Sequence, residues 1–223
     1  MLLKRNKKIL IYVFLFFMLG TLNNKNFSIF NFQNIINIEV IGLSKDQNDK
    51  ISNELKFLNL SSLFNLNSIK IEKILNSNNL IESYSIFKRY PAILKIKIVQ
   101  AKFLANINKQ GKSFLLGSNG KLIKVNNQKK ELPYIFGDFD NQSFFVLLKS
   151  IQNSKIQYSE IQNLYYFTSG RWDLEMKSGT LIKLPKKELL KSLNLSAKLL
   201  SNKKFKKKKL IDLRQNNQVI TNE

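Results

Sequence analysis

Apolar positions along the chain change their period several times, and each change marks an element. An uncharged run, ILIYVFLFFMLGTL, fills Ile9–Leu22 and predicts a helix that is apolar on every side. Further on, Ile36, Ile38 and Val40 alternate with Asn37, Glu39 and Ile41 before Gly42, the pattern of a short strand ending in a turn. Ile51, Leu55 and Leu58 then recur at spacings of four and three behind Ser44 and Gln47, which predicts a capped amphipathic helix. Leu63, Phe64 and Leu66 form an apolar plug, and Ser68 opens a second helix carrying Ile71, Ile74 and Leu75. Two strands follow: Ile81, Tyr84 and Ile86 lead to Arg89, Tyr90 and Pro91, and Leu94, Ile96 and Ile98 alternate with Lys95, Lys97 and Val99. The order strand, helix, helix, strand, strand lays a helix pair on one face of a small sheet. Its predicted core is Val40, Ile51, Leu55, Phe64, Ile86, Leu94 and Ile96.

The second half has shorter periods. Trp172, Leu174 and Met176 alternate up to Ser178 and Gly179, and Leu181 and Leu184 return as a hairpin would. The fold class is α+β.

Charge changes the reading of the N-terminus. Lys4, Arg5, Lys7 and Lys8 precede the apolar run, which at about 1.5 Å per residue spans only about 21 Å against a hydrocarbon core of about 30 Å. No small-x-small cleavage site follows Leu22, and Lys7 and Lys8 are placed to snorkel. An uncleaved transmembrane anchor at 9–25 is expected, with Ile9, Phe14, Phe17 and Leu22 facing lipid. By the positive-inside rule residues 1–8 are expected to be cytoplasmic and everything after Leu22 to lie on the far side of the membrane.

Elsewhere composition mostly excludes. The 37 Lys and Arg against 15 Asp and Glu give +22, yet the only dense run is Lys203, Lys204 and Lys206–Lys209, with no aromatic RNA-binding signature or helix-turn-helix pattern beside it. Nucleic acid is not the expected partner; acidic lipid headgroups attract such a charge more readily. The chain has no cysteine and no histidine, so there is no disulfide, no thiolate metal site and no imidazole base. Asp138 and Asp140 lack the glycine and the closing glutamate of a calcium loop, so a solvated turn is expected there. Glu160, Asp173 and Glu175 are the remaining carboxylate candidates, and Asp173 and Glu175, two apart on a strand, share what is ordinarily a wet face. Ser113, Ser118 and Ser178 have no histidine to activate them, and Ser52 with Lys56 is a chance SxxK on the surface of a helix. Glycines are scattered singly, so no phosphate loop exists. No catalytic residue, metal or cofactor is expected.

Several segments, in order, resemble the FtsQ/DivIB family of bacterial cell-division proteins. These are IEVIGL, SSLFNLN and IESYSIFKRYPAILKIKIV, then FLLGSNGKLI, ELPYIFG, GRWDLEMKSGTLIKLP and KLIDLR. The resemblance implies a POTRA domain at 34–101 and the family's β-rich domain with flanking helices at 102–223, including a helix from about Lys186 to Asn202. It departs at Gln100, Ala101 and Phe103, where the family carries a glutamate, an arginine and a proline, and at Gly117, where an aspartate is usual. An interaction made through the charged pair in relatives has no counterpart in these residues. A POTRA component of another envelope assembly or secretion system is the nearest alternative, but no long alternating barrel segments follow the POTRA pattern.

Near the chain end, Leu210, Ile211 and Leu213, then Gln215 to Gln218, then Val219, Ile220 and Thr221 predict a strand, a turn and a last short strand. Such an edge can accept a strand from another protein. Read from the residues alone, a terminal strand frayed in solvent is the preferred reading, and the lysine run before it fits a guard against aggregation equally well. The family resemblance implies the first reading: Ile211, Leu213, Gln218, Val219, Ile220 and Thr221 would receive FtsB, itself paired with FtsL. It further implies a divisome scaffold at the septum that regulates peptidoglycan synthesis through contacts rather than turnover.

Overall fold

The computed structural model describes residues 2–22, 33–202, 204–205, 208–215 and 218–222. Helix α1 (Leu2–Leu22) carries the apolar run, with the side chains of Ile9, Phe14 and Phe17 exposed. Among the described residues no helix is long and apolar enough to cross a membrane. Basic residues fill the first turns of α1 and its uncharged part runs from Ile9 to Leu22, while residues 23–25 of the expected 9–25 span lie outside the described ones.

Two compact units make up the rest. The first takes residues up to Ser77 together with Tyr84–Val99; the second takes Asn78–Ser83 with Gln100 onward. In the first, β1 (Asn37–Ile41), α2 (Lys45–Glu54), a 3₁₀ turn (Lys56–Leu60), α3 (Ser68–Ser77), β2 (Ile81–Arg89) and β3 (Ile93–Gln100) follow in the expected order. The sheet order is β1-β3-β2, with β1 parallel to β3 and Val40 opposite Ile96. Val40, Ile51, Leu55, Leu94 and Ile96 are buried as their spacing predicts. Gly42 sits at φ 121°, and a Cβ there would lie 1.8 Å from the Ile98 carbonyl oxygen, so the turn after β1 requires glycine.

Four side chains depart from the pattern. Phe64 is 51% exposed with its ring 5.0 Å from that of Tyr90, while Leu63 is fully buried; in a turn, neighbouring residues point apart and only one can enter the core. Ile86 is half-buried, because most of β2 shows both faces to solvent. Ser44 makes no side-chain cap; instead Asn48 Oδ1 accepts from the Leu43 N–H at 3.2 Å and its Nδ2 donates back to the Leu43 carbonyl at 3.0 Å. Ser52 is half-buried and donates to the Ile38 carbonyl at 3.2 Å, tying α2 to β1.

The second unit is built on a sheet of nine described strands. They are β4 (Phe103–Lys109), β5 (Lys112–Gly117), β6 (Leu122–Lys124), β7 (Tyr134–Phe136), β8 (Ile161–Tyr166), β9 (Trp172–Met176), β10 (Leu181–Lys183), β11 (Leu210–Asp212) and β12 (Ile220–Asn222). Their order is β12-β11-β10-β9-β8-β7-β4-β5-β6. The predicted hairpin is β9 and β10, antiparallel with Leu174 opposite Ile182. Helices α4 (Asn141–Gln152) and α5 (Leu189–Ser201) cover one face, where Phe144, Leu147 and Leu193 join Leu164, Trp172, Leu174, Ile182 and Ile211 in one core. The segment around Asp138 and Asp140, expected to be a solvated turn, instead starts α4: Asp140 Oδ1 accepts the Ser143 N–H at 2.7 Å. That contact holds the Asp140 carboxyl below its ordinary value. The signal was present in Asp140 followed by Phe144, Leu147, Leu148 and Ile151 at helical spacing.

Candidate partner-binding edge

The last strand is placed by its neighbour. β11 runs parallel to β10, with Ile211 opposite Ile182, and β12 returns antiparallel with Ile211 opposite Thr221. The two are joined through Gln215–Gln218, where the Gln218 N–H reaches the Gln215 carbonyl at 3.4 Å. Backbone groups of β11 alternate between its two neighbours. The Leu213 N–H donates to Lys183 O at 2.9 Å and Lys209 O accepts from Leu181 N–H at 2.8 Å, so odd-numbered residues address β10. Leu210 and Asp212 therefore address β12 at Asn222 and Ile220. The N–H and C=O of Thr221 consequently point outward, at the end of the sheet order.

Of the expected contact residues, Ile211 and Leu213 are buried in the core and offer no side chain at the surface. Parity is the reason: Ile211 lies on the helix-covered face with Leu174 and Ile182. Gln218 is exposed, Val219 is 39% and Ile220 49% exposed, and Thr221 is half-buried. Beside the edge, a cavity of about 170 Å³ is lined by Leu195, Leu213 and Val219 together with polar Glu188, Lys191 and Ser192, large enough for one side chain. Of the lysine run, Lys203, Lys206 and Lys207 lie outside the described residues, while Lys204 and Lys209 are exposed.

The other face of the sheet carries polar rows leading to this edge. Asp173, Lys183, Asp212 and Ile220 sit opposite one another on successive strands. Arg214 clamps Asp212 through Nε at 2.9 Å, which keeps that carboxyl below its ordinary range. Asp173, expected on a wet face, is only 3% exposed, because Arg171, Lys183 and Arg214 surround it. Its Oδ1 stands 3.8 Å from Arg171 Nε, and neither atom has a hydrogen-bond partner. Burial raises the Asp173 carboxyl above its usual value despite the cations nearby. Glu175 is the opposite case: it accepts from Asn163 at 2.8 Å and from Tyr165 at 2.7 Å, and both bonds lower it. The two carboxylates thus have different surroundings, and Glu160 lies apart in the turn Tyr158–Glu160. Among the described residues no group of three acidic, histidine or cysteine side chains is arranged to hold a metal.

The family description "Cell division protein FtsQ/DivIB, C-terminal" matches residues 105–214, from β4 through the end of β11. The cell division protein FtsQ of Rickettsia bellii (strain RML369-C) is 28% identical over 186 residues, 81% of this chain and 70% of that one. The chain belongs to the FtsQ/DivIB family. The FtsQ of Rickettsia conorii (strain ATCC VR-613 / Malish 7) is 26% identical over the same shares of both chains. The major extracytoplasmic domain of DivIB from Geobacillus stearothermophilus aligns with a TM-score of 0.34 at 14% identity, over 42% of this chain and 86% of that one. A role in cell division follows from the family. Strand β12 lies beyond the matched residues, so its use rests on the geometry above.

Proposed function

We propose that this FtsQ/DivIB chain is a single-pass scaffold of the divisome, not an enzyme, and that β12 receives a strand from a partner of the FtsB type paired with one of the FtsL type. In this reading residues 1–8 are cytoplasmic and α1 with the residues up to 25 is the inner-membrane anchor. A POTRA domain at 34–101 and a β-domain at 102–223 then stand at the septum and steer peptidoglycan synthesis by contact. The anchor is supported by exposed apolar side chains around α1 behind a basic cap, which a thinned bilayer with snorkelling lysines accommodates.

The outward Thr221 N–H and C=O at the sheet edge carry the reading. An added strand would bond there, present one side chain to the cavity lined by Leu195 and Val219, and set its alternate side chains beside Ile220. The test is capture of the cognate FtsB-like and FtsL-like segments by the full chain. Thr221→Pro removes the outward donor without touching the β11 ladder, whereas Ile220→Pro removes the bond that holds β12 to β11. Capture is expected from the wild type and from neither variant, with β12 still paired in Thr221→Pro by amide exchange. Undiminished capture by Thr221→Pro would sink the strand-addition reading.

A further inference from the structure

One end of the first unit exposes apolar side chains that its own core leaves uncovered. Leu60 is 85% exposed, and Ile36 and Tyr90 are each more than half exposed. Backbone bonds bring them together: Ile36 N–H donates to Ala92 O at 2.9 Å, Ile35 N–H donates to Ser61 O at 3.0 Å, and the Phe64 and Tyr90 rings are 5.0 Å apart. Phe57, three residues before Leu60 in a 3₁₀ turn, lies on the same side and is also exposed. Cations fringe this rim. Lys56, Lys88 and Arg89 are exposed, and Lys70 Nζ stands 6.0 Å from the Phe57 ring. A contiguous exposed patch of large apolar residues on a folded unit marks a contact surface.

We infer that this rim docks on an anionic phospholipid bilayer, with Leu60 and Tyr90 entering the headgroup boundary and Lys56, Lys88 and Arg89 meeting lipid phosphates. Two observations choose lipid over a protein groove. Aromatic and aliphatic tips with a basic fringe are the chemistry of interfacial binding, in which rings settle at headgroup level and cations bind anionic lipid. The rim also begins at Ile36, and the chain between Leu22 and Ile36 spans at most about 50 Å even fully extended. The inference rests on α1 being a membrane anchor only for that proximity; the rim has its own chemistry.

The chain has no cysteine, so a single one placed at Leu60 can carry a nitroxide in the full-length protein with no background label. The label is read in vesicles of phosphatidylethanolamine and phosphatidylglycerol by its collisions with oxygen and with a water-soluble nickel complex. A second site, Val146→Cys on α4, reports a surface outside the rim. Retention through an alkaline carbonate wash reports the anchor separately. Docking predicts that the Leu60 label favours oxygen while the Val146 label favours nickel. Lys88→Glu with Arg89→Glu should return the Leu60 label to water, with nickel collisions rising about tenfold and the chain still retained. A retained chain whose Leu60 label is as wet as the Val146 label overturns the inference and leaves the anchor standing. So does concentration-dependent dipolar broadening at Leu60, which would identify a second copy as the occupant. If the chain washes out, the anchor reading fails; the rim must then float the protein with anionic vesicles unaided, and failure to float overturns the inference too.

Discussion

At one end of the nine-stranded sheet, β6 has its outer edge closed by the chain itself: the Leu122 carbonyl accepts from Asn79 Nδ2 at 2.8 Å. Asn119 Nδ2 continues that seam to the carbonyls of Asn79 and Ile81 at 3.0 and 2.9 Å. At the other end, β12 is equally short, yet no described residue bonds to its outer side. An unpaired edge is a hazard that proteins blunt with side chains, bulges or charge. Here one edge is capped by asparagines and the other is left addressable, which is what a surface for strand addition requires.

Removing what both edges share gives the largest effect. Leu174→Ala, at a fully buried position under the helices, should cost about 2–5 kcal/mol in chemical denaturation and weaken partner capture with it. Breaking the support of β12 should cost less and should depend on pH. The Asp212 carboxyl is lowered by Arg214, so its stabilisation is complete above the unfolded-state value and fades as pH falls through the lower folded value. Asp173 is raised by burial, so its ionised form is a burden that lifts as pH falls through the folded value. Denaturation midpoints taken between neutral and acid pH should therefore show a smaller acid-side decline in Asp212→Asn than in the wild type, the remainder belonging to Asp140 and Glu175. In Asp173→Asn the acid-side gain should vanish and neutral stability should rise, since burial of the Asp173 charge outweighs the attraction of Arg171, Lys183 and Arg214. Matching pH profiles for the two variants would mean that the clamp beside β12 does not distinguish them.

At the capped edge, Asn79→Ala should lower stability by about 1 kcal/mol and speed amide exchange in β6, leaving β12 and partner capture unchanged. The smallest effect belongs to Thr221→Pro, which removes an N–H that faces away from β11; its stability should stay within about 0.5 kcal/mol of wild type while capture is lost.

Much of the first unit was legible because its order rests on local periods. Alternation at Ile38 and Val40, and spacings of four at Ile51 with Leu55 and Ile71 with Leu75, each name a buried face within one element. Phe64 was misread because an apolar pair in a turn does not declare which member turns inward. Helix α4 was legible through Phe144, Leu147, Leu148 and Ile151, but the acidic residues before it drew attention to metal chemistry instead of capping.

The amino-acid sequence by itself determined the apolar α1 behind its basic cap, the β-α-α-β-β order, the β9–β10 hairpin and a short strand at Ile220. Those features depend on neighbours a few residues apart. Tertiary structure alone decided that β7 and β8 lie between β4 and β9, with β4, β7 and β8 mutually parallel as neighbours. It also decided that Asp173 is buried under three cations, and that Thr221 turns its backbone groups outward while Ile220 and Asn222 turn theirs to β11. Which side of a strand bonds inward depends on its register with a partner strand, and no period within either strand contains that register.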